Sequence, residues 1–183
     1  IQCDVASDES IQRAFQQIGE QFGQLDGVVH SVAFANPAEL GGEMTDVSRE
    51  GYALAQDVSA YSLIAVCRAA APLLKNPASV VTMSYFGAER AIPNYNVMGV
   101  AKAALEANVR YLARDMGKNG VRVNAISAGA LKTLAVTGIQ GHGELLAMSK
   151  ARTVDGKDVT IEEVGGTATF LMSDLSTGVT GDV

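Results

Sequence analysis

The chain has 183 residues, a formal net charge of −6 and 48% hydrophobic residues. That suits one domain around one core and excludes a protein that binds nucleic acid through a basic surface. It carries no Lys/Arg block, no apolar run that would span a bilayer, and no visible signal peptide. Cys3 and Cys67 match no metal spacing and read as two buried thiols in a reducing cytosol.

In chain order, "IQCDV" (1–5) reads as the tail of a strand, followed by a helix over about 8–23. "LDGVVHSVAFA" (25–35) is a buried strand running into a loop, and 48–75 reads as one long helix broken near Asn76-Pro77. "ASVVTMSYFG" (78–87) is a second strand, and a helix begins near Tyr95 and runs to about 117. "GVRVNAISAG" (120–129) is a further strand, and 130–157 is looser. Thr160 with Glu163 is a capping-box start for a helix ending near Ser173, and "TGVTGDV" is a turn entering one more strand. Near-continuous apolar strands alternating with helices predict a parallel sheet covered on both faces: an α/β, doubly wound, Rossmann-type fold.

Both ends are unusual for that fold. A doubly wound nucleotide fold opens with a βαβ unit carrying a Gly-rich phosphate turn. No G-x-G-x-x-G or P-loop is found. The chain therefore reads as a single domain, 1–183, lacking its N-terminal βαβ segment and its final strand, as an incomplete record of a longer protein would.

Tyr95 and Lys102 are seven residues apart. On a helix this turns through about 700°, leaving the two only about 20° apart around the axis, with about 10.5 Å of rise between them. Lys102 can reach a cofactor sugar while Tyr95 meets a substrate, and the ammonium favours ionisation of a nearby phenol. By spacing alone, a solvated lysine on an amphipathic helix is the stronger reading.

The surrounding words add to this. "SYFGAERAIPNYNVMGVAKAALEANVRYLA", "VRVNAISAG", "LKTLA" and "DVSAYSL" together resemble the enoyl-[acyl-carrier-protein] reductases of bacterial fatty-acid synthesis. These are a branch of the short-chain dehydrogenase/reductase superfamily whose signature is Tyr, six residues, Lys. The resemblance runs from residue 1 to residue 183. It implies a cytoplasmic Rossmann-fold homotetramer that uses NADH or NADPH to reduce trans-2-enoyl-acyl-carrier-protein thioesters. The Tyr-x-x-x-Lys of ordinary short-chain dehydrogenases is missing: four residues before Lys102 stands Met98, which has no proton to give. Their serine position falls at Tyr85, and Ser59 stands where the preceding helix often has Asn. An activated alkene is therefore favoured over a ketone.

The resemblance implies Tyr95 as the donor to the thioester oxygen, where negative charge develops as hydride reaches C3. It implies Lys102 on the ribose and Tyr85 beside the thioester. It also implies cofactor contacts at Asp4, Val5, Val32, Leu131, Lys132, Thr133, Leu134 and Ala135, with Ala35 near the substrate. His30 reads as packing at a strand end, and no metal site is expected. "SAGALKTLA" (127–135) departs from the family's "SAGPI(R/K)TLA" by carrying Ala130 in place of proline. Losing the fixed φ predicts a freer loop. Residues 130–157 read as a substrate-binding flap, with Lys150, Arg152 and Lys157 as candidate contacts for an acidic carrier protein. The other readings are a short-chain dehydrogenase acting on another enone or carbonyl, and a truncated, non-catalytic nucleotide-binding module.

Overall fold

In the computed structural model, residues 1–137 and 141–183 are described. Three strands, β1 (Leu25–His30), β2 (Leu74–Tyr85) and β3 (Val121–Ala128), form a parallel sheet in the order β1-β2-β3. Its central register pairs Val28 with Val80 and Val80 with Val123. The helices are α1 (Asp8–Phe22), α2 (Arg49–Gln56), α3 (Ser62–Ala70), α4 (Asn96–Met116), α5 (Leu134–Thr137), α6 (His142–Arg152) and α7 (Ile161–Met172).

Period-two alternation sends successive strand side chains to opposite faces. Val80, Val123 and Ala125 pack with Leu63 of α3 and Leu105 and Val109 of α4. Val81 and Ile126 pack against Leu171 of α7 on the other face. Val80 and Val81 both have no exposed surface, which is why β2 reads as a continuous apolar run. The covered parallel sheet is as expected for β2 and β3. Among the described residues β1 pairs on one side only, and its Val29 is 53% exposed.

Local signals place the helix ends well. The Ser7 side chain accepts the Ser10 N–H to start α1, and Ser48 accepts the Gly51 N–H to start α2. Both halves of the Thr160–Glu163 capping box are made.

Several expectations need correction. The helix expected over 48–75 is two helices joined by a π-helical turn, Asp57–Tyr61, and it ends at Ala70 rather than near Pro77. Pro72 is the physical cause: it has no N–H to continue the ladder, and Ala71 makes the last bond, to the Cys67 carbonyl. β2 then starts at Leu74, four residues early, because the Leu25 N–H bonds the Leu73 carbonyl at 2.8 Å and draws this segment alongside β1. Residues 1–5 join no ladder with a described strand, so Cys3 is exposed whereas Cys67 is buried. At the other end, 179–183 runs beside β3 without becoming a regular strand. Gly181 N–H bonds Val123 O at 2.8 Å, and Ala125 N–H bonds Asp182 O at 2.9 Å.

Candidate active site

The carboxyl ends of β1, β2 and β3 lie side by side, and in open parallel sheets ligands bind beyond these ends. Tyr85 is the last residue of β2. Tyr95 sits at the N-cap of α4, just outside the helix, and its carbonyl accepts the Gly99 N–H at 2.7 Å. The two tyrosine rings meet edge to face with centroids 5.0 Å apart. Gly87 makes this possible: a β-carbon there would come within 2.6 Å of the Tyr95 ring. The turn after β2 can thus lie directly on the tyrosine.

Lys102, two turns into α4, is only 6% exposed and donates to the Met83 carbonyl at 2.7 Å. Burial pulls its pKa down to about 8, opposed by the Glu106 carboxylate one turn further along. Glu106 is itself buried and accepts a 2.5 Å hydrogen bond from the Ser84 hydroxyl. The expectation that the ammonium would help to ionise Tyr95 is not met. Burial, reinforced by the neighbouring Tyr85, raises the Tyr95 phenol above its ordinary value. Tyr95 is therefore a protonated donor at neutral pH. Burial also raises Tyr85, against the pull of the Arg152 guanidinium.

The loop after β1 carries Val32, 39% exposed, and Ala35, which is buried among Ile92, Val97, Met98, Ala130 and Leu145. Tyr85 and Tyr95 pack on the same cluster, so Ala35 and the two tyrosines share one apolar wall. Ser59, fully buried in the π-helical turn, holds this loop: its hydroxyl donates to the Phe34 carbonyl and accepts the Phe34 N–H, each at 2.9 Å. An extra residue in a helix re-aims side chains, and here it aims a hydroxyl at the loop. His30 packs, as expected. Its ring lies between Thr82 Oγ1 (3.0 Å) and Ser62 Oγ (2.9 Å), and burial, then Lys102, lowers its pKa to about 4.

After β3, Leu131 and Thr133 are half-buried and Lys132 is exposed. Thr133 caps the short α5 by accepting the Val136 N–H. The side chains of Leu134 and Ala135 lie outside the described residues, as does 138–140 of the glycine-rich stretch. Asp4 and Val5 precede α1, and the Asp4 carboxylate accepts the Ala6 N–H at 3.0 Å. None of its described hydrogen bonds reaches the tyrosine–lysine group.

Of the three basic residues expected on the flap, Lys150 pairs with Asp158 at 3.0 Å and Lys157 with Asp155 at 3.5 Å. Arg152 instead lies over the Phe86 ring, 5.1 Å from its centroid. Among the described residues no His/Cys/Asp/Glu group could hold a metal, and no helix is long and apolar enough to cross a membrane.

Sequence reasoning singled out Tyr85, Tyr95 and Lys102, and the structure brings them to one strand end. It missed Glu106, Ser84 and Gly87. Glu106 was findable, as an acidic residue four positions after Lys102 on a helix face that continues through Leu105 and Val109.

A family model described as "Enoyl-(Acyl carrier protein) reductase" matches residues 1–183. Among curated relatives, the enoyl-[acyl-carrier-protein] reductase [NADH] of Enterococcus faecalis is 55% identical over 183 residues, spanning 100% of this chain and 73% of that protein. The enoyl-[acyl-carrier-protein] reductase [NADPH] of Staphylococcus aureus is 51% identical over 181 residues, 99% of this chain and 71% of that one. The crystal structure of the enoyl-[acyl-carrier-protein] reductase (NADH) of Aquifex aeolicus matches with a TM-score of 0.96 at 49% identity, covering 99% of this chain and 71% of that one.

Proposed function

The chain belongs to the enoyl-(acyl carrier protein) reductase family, and from that premise we propose how its own residues carry the reaction. The activity is reduction of trans-2-enoyl-acyl-carrier-protein thioesters by NADH or NADPH in fatty-acid elongation. Neither a ketone-directed dehydrogenase nor a non-catalytic nucleotide module is favoured.

The donor set fits a reduced nicotinamide dinucleotide. The buried Lys102 ammonium has three N–H groups, and one is used on the Met83 carbonyl. The others can hold ribose hydroxyls. When bound, the reduced nicotinamide would supply a hydride to C3 of the enoyl thioester, and a proton delivered to C2 from Tyr95 or from water completes the saturated product. By the family resemblance, the Leu131 backbone would hold the carboxamide and Thr133 the pyrophosphate, with Lys132, Leu134 and Ala135 alongside. Val32 would lie against the cofactor, and Asp4 and Val5 would meet the adenine.

Tyr95 hydrogen-bonds the thioester oxygen as negative charge gathers there. The observation that carries this reading is the edge-to-face contact of a half-buried, protonated Tyr95 with Tyr85 at the end of β2, one strand end shared with Lys102. A donor fixed before reaction and shielded from water stabilises charge at little reorganisation cost. Lys102 adds positive potential, and the Glu106 carboxylate, which accepts the Ser84 hydroxyl, favours the charged form of that ammonium. Tyr85 and Ala35 line the acyl side, and α5 with α6 forms the cover over it. Homotetramer assembly and a cytoplasmic location belong to the same reading.

A steady-state assay tests it. Enoyl thioesters are turned over with consumption of reduced nicotinamide, simple ketones are not, and Tyr95→Phe loses most of kcat. Preference for ketones, with full activity in Tyr95→Phe, would overturn the assignment.

A further inference from the structure

Helix α6 meets the rest of the molecule along one face. Leu145, Ser149 and Arg152 stand at i, i+4 and i+7, on neighbouring turns of that face. Leu145 is 6% exposed and packs in the cluster that contains Ala35 and Ala130. Arg152 lies over Phe86, immediately after Tyr85. Between them, Ser149 Oγ accepts the Ala130 N–H at 3.0 Å.

That last bond is peculiar to a chain without proline at 130. A proline has no N–H to give and needs no partner, because its ring fixes φ. In "SAGALKTLA" the restraint on the peptide after Gly129 comes from elsewhere, through a hydroxyl nineteen residues along the chain. The approach is close as well. A β-carbon at Gly129 would fall 2.7 Å from Val159 and 3.3 Å from Ser149 Oγ. Ala130, 8% exposed, is therefore pinned on both sides rather than freed. The hydrogen bond gives the loop a restraint in place of the missing proline ring.

We infer that Ser149 is a positioning residue for the cofactor, tethering the Ala130 peptide so that Leu131 is presented to the nicotinamide. The inference rests on the reading of Leu131 given above. Its consequence is coupling. A proline orders the loop by covalent geometry whether or not α6 is docked. Here the order of the cofactor loop depends on α6, the helix that also covers the acyl side. Removing the Ser149 contact therefore weakens nucleotide binding, although Ser149 itself touches no cofactor.

The test uses the intact protein with two substitutions, singly and together, read by amide exchange over 129–131 and by steady-state kinetics. Ser149→Ala is expected to speed exchange there and to raise KM for reduced nicotinamide about 3- to 10-fold, the scale of one lost hydrogen bond, with kcat within about twofold. In an Ala130→Pro background the same Ser149→Ala change is expected to alter neither quantity. Unchanged exchange in Ser149→Ala overturns the tether itself. Faster exchange with unchanged KM for the nucleotide overturns the assignment of Leu131 to the nicotinamide, and the coupling with it. An equal cost of Ser149→Ala in both backgrounds shows that Ser149 acts by another route and also overturns the inference.

Discussion

The two helices that flank the site are held in opposite ways. α4 buries Val97, Met98, Ala101, Lys102, Leu105, Glu106, Val109 and Ala113, nearly one whole face over 21 residues. α6 buries Leu145 alone, with Leu146 partly buried on the same cluster, and its described ties include the Ser149–Ala130 hydrogen bond and the Arg152–Phe86 cation–π contact. The charged and proton-bearing groups proposed for the reaction are seated on the first. The proposed cover is the second. Groups that stabilise a transition state must not reorganise, so they belong in the core, whereas a cover must part from its seat in every turnover.

The largest way to test that contrast is chemical. Tyr95→Phe keeps the ring that packs on Tyr85 and removes only the donor. It should lower kcat about 100- to 1,000-fold with KM nearly unchanged, while thermal melting stays close to the parent's. A loss of less than tenfold would move the oxyanion donor elsewhere.

Truncating one leucine on each helix breaks the comparison directly. Leu105→Ala opens a cavity at a site with no exposed surface and should cost about 3 kcal/mol of global stability in denaturant unfolding. Leu145→Ala should cost less than about 1 kcal/mol globally, yet expose α6 to proteolysis and raise KM for the enoyl thioester several-fold. Equal global losses would mean that the cover is part of the core.

His30 sharpens the core side of the contrast. Its folded-state pKa of about 4 lies below the ordinary 6.5, chiefly through burial, so the unfolded chain takes up its proton first as pH falls. The stabilisation is present above pH 6.5 and is lost as pH drops towards 4, by roughly 3 kcal/mol at most. His30→Gln should flatten urea-unfolding stability across that window. A parent protein equally stable at pH 4.5 and 7 would contradict the buried neutral ring.

The smallest effect concerns Lys102. With its pKa pulled to about 8, the ammonium is lost as pH rises through that value, and kcat/KM should decline above it. The Glu106 carboxylate opposes the pull, so Glu106→Gln should move the inflection to lower pH. A shift upwards would refute that role for Glu106.

Much of this was legible in the residues because its causes are local. Ser7, Ser48 and the Thr160–Glu163 pair cap helices within a few residues of themselves. Tyr95, at the N-cap of α4, and Lys102, two turns into it, come to the same strand end, close to what their seven-residue step implied. Pro72 was equally local but was overlooked in favour of Pro77, although it alone removes a helical donor at the observed break.

By itself the sequence determined the family, the α/β class, and the tyrosine–lysine register that favours an alkene over a ketone. It also determined that proline is missing at 130. Only the tertiary structure decided what replaces that proline, which serine holds the loop after β1, and whether Tyr95 is ionised. The physical reason is distance along the chain. Ser59 meets Phe34 across 25 residues, Ser84 meets Glu106 across 22, and Ala130 meets Ser149 across 19. Periodicity and capping rules act within a few turns and carry no record of such pairings. The upward shift of the Tyr95 phenol comes chiefly from burial, a property of the packed molecule.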